Sequence, residues 1–175
     1  LKNKVLFIDA RNYYTEVDRT LNEWSEWQLK NLNAIVWLYR GESEKYTALL
    51  CEYINALGSD KLFDEQVHDL TERVKKLRAE AKEAVEAADK REKKKTQTEY
   101  GEKISELAEK LTIAKEANWL YEKFGDGEYR DILGLCKVAY TTDDAKCDDK
   151  DGISIEEKGW SLTPGAFVGV APVED

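Results

Sequence analysis

Apolar positions in the middle of the chain recur with a period of seven. Phe63, Val67, Leu70, Val74, Leu77, Ala81, Ala84 and Ala88 are separated alternately by four and three residues. This is the a/d pattern of a coiled-coil helix, and a strict heptad implies left-handed supercoiling. The pattern lapses from Lys90 to Gly101 and resumes at Ile104, Leu107, Leu111, Ala114, Asn118 and Tyr121, with Gly125 beyond its end. Two arms of similar length around a short polar tip predict an antiparallel helical hairpin. Each arm of about 25 residues would extend ~37 Å at ~1.5 Å per residue. The seam thins along its length. Phe63, Leu70 and Tyr121 occupy the base, with Trp119 close by, whereas Ala81, Ala84 and Ala88 run towards the tip. Alanine permits close approach but buries little area, so such a hairpin gains from further helices packed against it.

The flanks read differently. Val5-Leu6-Phe7-Ile8 is a short continuous apolar run, the mark of a buried strand. It needs a sheet to join, and the comparable run is Phe167-Val168-Gly169-Val170. Tyr13 to Leu21 suggests a short helix. Ser25-Glu26-Trp27-Gln28 has capping-box spacing. Behind it Leu29, Leu32, Ile35, Val36 and Tyr39 share a helical face, and Arg40-Gly41 ends the helix with Gly as cap. A further helix spans Glu44 to Leu57 and stops at Gly58, after which Ser59 or Asp60 is expected to cap the long arm. The last residues are less regular: a turn at Gly125-Asp126-Gly127, a mixed apolar stretch from Ile132 to Tyr140, an acidic loop from Thr141 to Gly152, then a short helix and strand-like pieces around Pro164 and Gly165. The expected fold class is mainly α: a helical domain with a long antiparallel coiled-coil hairpin and a few short β-strands near the termini. Residues 1–60 would hold a sheet end and linking helices, 61–124 the hairpin, and 125–175 a segment packing back on the helices.

Charge narrows the candidate functions. The chain has 27 basic and 36 acidic residues, a net charge of −9. Phosphate contacts need Lys and Arg, so an acidic chain is a poor non-specific DNA binder. A role at DNA would need a local basic patch or a basic partner. No apolar run approaches the ~18 residues of a membrane span, so no membrane partner is expected. Three widely spaced cysteines, Cys51, Cys136 and Cys147, argue for a reducing cytoplasm rather than a disulfide framework. The chain lacks methionine and opens on Leu1 just before an apolar strand, as a piece of something longer would.

Candidate chemistry is sparse. Cys147-Asp148-Asp149-Lys150-Asp151-Gly152 has the acid and glycine spacing of part of a calcium loop, but Cys147 and Lys158 stand where the first and the bidentate ligands belong. It reads as a solvated loop. Gly125-Asp126-Gly127 reads as a helix C-cap and turn, not as a phosphate loop. His68, the single histidine, falls beside seam position Val67 on the outside of the arm. Lys90-Arg91-Glu92-Lys93-Lys94-Lys95 is the one basic cluster. A solvated helix end is the favoured reading, with contact of Lys93, Lys94 and Lys95 to DNA phosphate as the alternative. Of the five tryptophans, most fit a core; Trp24 and Trp27 flank the capping box and could form an exposed patch. Neither a nucleophile–base pair, a nucleotide loop nor a metal constellation emerges, so no catalytic, cofactor-binding or metal residue is assigned.

Three stretches together resemble one family. They are Val5-Leu6-Phe7-Ile8-Asp9-Ala10-Arg11-Asn12, continuing through Val17-Asp18-Arg19; Ile35-Val36-Trp37-Leu38-Tyr39-Arg40-Gly41-Glu42; and Gly159-Trp160-Ser161-Leu162-Thr163-Pro164-Gly165-Ala166-Phe167-Val168-Gly169-Val170. In this order they are similar to the C-terminal part of the modification (methyltransferase) subunit of type I restriction-modification systems, which carries a like "VLFIDAR", a helix ending "LYRGE" and a closing "G-W/Y-S-L-N-P-G-R-Y-V-G-V". Leu135-Cys136-Lys137-Val138-Ala139 also has the family's look. Thr163 stands where the family usually has Asn, and Ala166 where it often has Arg.

The resemblance implies a parent subunit that transfers a methyl group from S-adenosylmethionine to adenine N6, with a glycine-rich cofactor loop and an N-P-P-F/Y motif for the flipped base. This chain has no Pro-Pro pair, so no cofactor or catalytic residue is carried over. The first strand would be the end of the catalytic domain's sheet. The implied partners are a specificity subunit, a second modification subunit and a restriction subunit, with DNA reached through the assembled complex. Trp160, Leu162, Pro164, Phe167 and Val168 are the expected partner-binding residues. The competing expectation is an independent coiled-coil adaptor with no methyltransferase link.

Overall fold

A computed structural model describes residues 2–170; Leu1 and the last five residues of the 125–175 segment lie outside the described residues. The protein is mainly helical with a few short strands. In chain order the elements are β1 (Lys4–Ile8), β2 (Thr15–Glu16), β3 (Asn22–Glu23), α1 (Glu26–Tyr39), α2 (Ser43–Leu57), α3 (Phe63–Ala87), α4 (Lys93–Phe124), β4 (Cys136–Tyr140), a 3-10 turn (Asp144–Lys146) and α5 (Gly165–Val168). They divide into two compact units. One comprises residues 1–46 with 123–175, the other residues 47–122.

In the first unit the apolar run is a strand, as its composition predicts, but its partner differs. β1 pairs antiparallel with β4, Lys4 facing Tyr140 and Ile8 facing Cys136. The closing Phe167-Val168 run, expected as strand, is instead the helical turn α5. Pro164 holds αR geometry at its start, a position where a missing N–H costs nothing. The turn lays Phe167 flat on Phe7, ring centroids 4.1 Å apart and 7° from parallel. Phe7, Ala139, Ile155, Phe167 and Val168 form the buried core of this unit, with Val5 and Ile153 packed against it. Two opposite ends of the sequence thus share one core.

The outer edge of β4 is bonded at both of its ends. Ile132 and Cys136 exchange backbone hydrogen bonds, Tyr140 N–H donates to Ile153, and Ile155 N–H donates back to Tyr140. The segment expected as a helix from Tyr13 holds a small hairpin, with Thr15 opposite Glu23. Asp18 explains the turn: its carboxylate accepts from the backbone N–H and hydroxyl of Thr20 at 2.7 and 3.0 Å. Such local bonds compete with helix formation.

α1 starts on the expected capping box. Ser25 Oγ accepts from Gln28 N–H, and Gln28 Oε1 accepts from Ser25 N–H at 2.9 Å. Gly41, at φ +76°, follows its last turn. Its buried face, however, is Gln28, Asn31, Ala34, Ile35 and Leu38, while Leu29 is exposed. Periodicity misses this because two buried positions are polar and satisfied: Thr15 Oγ1 donates to Gln28 Oε1, and Asn31 Nδ2 donates to Tyr13 Oη.

In the second unit the long seam holds over its first arm. Phe63, Leu70 and Val74 are buried, and Val67, Leu77, Ala81, Ala84 and Ala88 are half-buried. Gln66 joins them, its amide donating to the carbonyls of Lys61 and Ser59. That contact replaces the expected cap: Leu62 is the N-cap residue and makes no side-chain cap bond. Helix α2 adds to the same core, with Leu49, Tyr53 and Leu57 buried and the Tyr53 ring edge-on to Phe63 at 6.3 Å. In α4, Ile104, Leu107 and Leu111 are half-buried and Ala114 is buried. The stripe then drifts to Ala117 and Leu120, leaving Tyr121 exposed, because a straight helix falls out of step with a seven-residue repeat. The link between the two long helices is short, and α4 already begins at Lys93.

Candidate functional site

The first and third family-like stretches pack together in the first unit, and the second lies in the same unit. β1 is followed by Asp9, whose buried carboxylate is gripped by Arg11. Arg11 Nη2 donates to Asp9 Oδ2 at 2.7 Å, Nε donates to Oδ1 at 2.9 Å, and the Arg11 backbone N–H donates to Oδ1 at 3.1 Å. These hydrogen bonds hold the Asp9 carboxyl below the usual carboxylate range, against the opposing effect of burial. Gly165 completes the arrangement. A Cβ on it would lie 2.8 Å from Arg11 Nη2, so the absence of a side chain lets α5 close over the Asp9–Arg11 pair. "Asp-x-Arg" from one end and "Pro-Gly" from the other are parts of one joint.

The second stretch reaches the same unit through Tyr39, the last residue of α1. Its ring stands edge-on to Tyr129 at 5.8 Å. Its hydroxyl is buried and has no hydrogen-bond partner, and burial raises its pKa. Tyr39, Tyr129 and Tyr140 line an open cleft of about 610 Å³ beside the sheet, together with Lys4, Asp131 and Lys137. The 149–152 turn forms another wall of it. A volume of that size suits a small ligand or a side chain (typical sites hold ~300–1,000 Å³).

The polar groups of the cleft are mostly satisfied. Asp131 accepts from Tyr129 Oη at 2.9 Å and from the Val138 N–H at 3.0 Å, and pairs with Lys137 at 3.3 Å. Tyr140 Oη donates to Asp149 at 2.8 Å, which together with burial raises the Tyr140 pKa. Lys4 Nζ lies over the Tyr140 ring, 5.4 Å from its centroid. Gly152 presses on the same ring, where a Cβ would come within 2.7 Å. Tyr129 is shifted strongly upward, first by burial and then by the neighbouring Cys136 thiol and Asp131. Burial likewise raises the Cys136 thiol, leaving it neutral and unreactive.

The residues expected to bind a partner divide by burial. Trp160 and Leu162 are 61% and 67% exposed, and Trp160 holds φ +65°, an uncommon conformation for a bulky residue. Pro164 is half-buried. Phe167 and Val168 are in the core. Lys93, Lys94 and Lys95 are exposed and form the first turn of α4, a solvated helix end at an N-terminus. His68 is exposed. Trp24 is exposed with Nε1 donating to the Tyr13 carbonyl, and Lys30 lies over the Trp27 ring. Among the described residues no His, Cys, Asp or Glu cluster is placed to hold a metal ion, and no helix is long and apolar enough to cross a membrane.

Sequence reasoning missed the cleft. Its walls come from β1, α1, β4 and two loops; Tyr39 inside "LYRGE", Lys137 and Val138 in the 135–139 run and the 149–152 loop each carried a signal, but none that joined them. No family model, curated protein or solved structure matches the chain.

Proposed function

We propose that the chain is a docking module and not a catalyst. More particularly, it is the C-terminal assembly domain of a type I DNA adenine-N6 methyltransferase (modification) subunit, cytoplasmic, holding that subunit to its specificity subunit and through it to DNA. The observation that supports this reading is the packing of the first family-like stretch on the third: Phe7 stacks on Phe167, and Gly165 lies against the Asp9–Arg11 pair.

In this reading α3 and α4 are the arms of an antiparallel coiled-coil hairpin. Two observations support it. Phe63, at the start of α3, meets Tyr121, near the end of α4, with rings 5.9 Å apart. Arg73 and Lys110 line one small groove, which fits the same antiparallel register. The alanine positions towards the tip leave room for helices of a specificity subunit. Trp160 and Leu162 offer apolar surface to a partner, and aromatic residues are enriched among interface hot spots. Lys93, Lys94 and Lys95 crowd like charges at the positive end of a helix dipole, which a DNA phosphate would relieve.

Co-expression with the cognate specificity subunit followed by size-exclusion chromatography tests the reading. A stable complex is expected, and separate elution of the two chains would overturn it. S-adenosylmethionine should not bind the chain alone, so clear cofactor binding in a calorimeter would count against an assembly role. Replacing Lys93, Lys94 and Lys95 by Glu should abolish DNA retention by the assembled enzyme; unchanged retention removes the DNA contact.

A further inference from the structure

We infer that the tyrosine cleft is a receptor for an arginine side chain presented by a partner protein. This rests on the docking reading above and adds the place and the chemistry of one contact.

The hydrogen-bond balance of the cleft points to a donor-rich ligand. Tyr129 and Tyr140 each give their single hydroxyl proton to a carboxylate. Their oxygens retain lone pairs, so both can accept but neither can donate. Lys137 is neutralised by Asp131, and Lys4 lies over a ring face. Asp149 and Asp151 make no ion pair among the described residues. Arg130, the third cation of the lining, donates to the Lys123 carbonyl, so the wall donors are engaged while the Asp149 and Asp151 carboxylates keep free acceptor positions. The Tyr39 hydroxyl is buried beside this space without a partner. A buried unsatisfied hydroxyl is costly, and a ligand entering the cleft can supply what it lacks.

A guanidinium fits all of these features. It carries five N–H donors and no acceptor. Its plane stacks on aromatic faces, and tyrosine faces attract cations. The ring of Tyr140 already has a lysine ammonium over its face. The chain's net charge of −9 steers basic partners towards it. A phosphate would fit less well, because it needs donors that the tyrosines have spent and would meet Asp149 and Asp151.

The test is a ¹⁵N NMR titration of the whole chain with N-acetyl-arginine amide, N-acetyl-citrulline amide and inorganic phosphate. Arginine should shift the amides of Tyr129 to Asp131, Val138 to Tyr140 and Asp149 to Gly152. Citrulline, the neutral isostere, should bind about tenfold more weakly, equivalent to about 1.4 kcal/mol. The Asp149→Asn/Asp151→Asn double variant, which leaves side-chain shape intact, should show a comparable loss. Tyr39→Phe should weaken binding about fivefold through its lost hydrogen bond. Absent or scattered shifts, equal binding of citrulline, preference for phosphate, or an unchanged Tyr39→Phe variant would each overturn the assignment. If arginine fails while the specificity subunit still co-elutes with the chain, only this inference falls and the docking reading stands.

Discussion

The two units of the protein are held in different ways. In residues 1–46 and 123–175, distant segments interlock through single large contacts: a face-to-face Phe7–Phe167 stack and a carboxylate gripped in a guanidinium fork. In residues 47–122, burial is spread along α3 and declines along it, from Phe63, Leu70 and Val74 to the half-buried Ala81 and Ala84. The first design concentrates energy and specifies a site. The second distributes it and leaves a long surface with shallow burial.

The contrast can be broken by mutation. Phe7→Ala should have the largest effect, about 3–5 kcal/mol in urea unfolding, as for other buried aromatics. It removes both the core residue and the stack, and a cost below about 1 kcal/mol would refute the idea of a concentrated core. Val74→Ala in the seam should cost about 2 kcal/mol, and an equally conservative change further along, Ala84→Ser, well under that. Hydrogen exchange should match: amides near Ala81 to Glu99 should exchange faster than those near Phe63 to Val74. Uniform protection along both arms would contradict the graded seam.

Gly165→Ala should cost well under about 1 kcal/mol, below the usual range for overpacking, because the added methyl meets only the movable end of the exposed Arg11 side chain. In an Arg11→Ala background that cost should vanish. Simple additivity of the two changes would mean that they do not share a contact.

The smallest effect concerns acid. Asp9 has its pKa lowered in the folded state, chiefly by its hydrogen bonds with Arg11. Its contribution to stability is therefore fully present above the unfolded pKa of about 3.9 and is lost as pH falls through the lower folded value. Asp9→Asn should flatten the acid limb of the stability curve below about pH 4, with little change in its slope at higher pH. An acid limb identical to the wild type would exclude the pair as its source.

How much of this was legible beforehand depended on the range of the interactions. Helix α1 with its capping box, the stop at Gly58 and the seam of α3 rest on local spacing, and these read directly from residue order. The first strand was legible as a strand because it is short, apolar and β-branched at Val5 and Ile8. Its partner was not, since pairing is a long-range choice between runs of similar composition. Cys136 to Tyr140 alternates inward Ala139 with outward Val138, and gave a weaker signal than Phe167-Val168, which folded as a turn instead.

The sequence by itself determined the element types wherever periodicity was strong, and it brought the family-like stretches to notice as words in the chain. Only the tertiary structure decided what those words do. It set Gly165 against Arg11, laid Phe167 on Phe7, and enclosed the Tyr39 hydroxyl without a partner beside an acceptor-rich cleft. The physical reason is that helix period and capping depend on neighbours within about four residues, whereas a core and a site are made of side chains that only folding brings together.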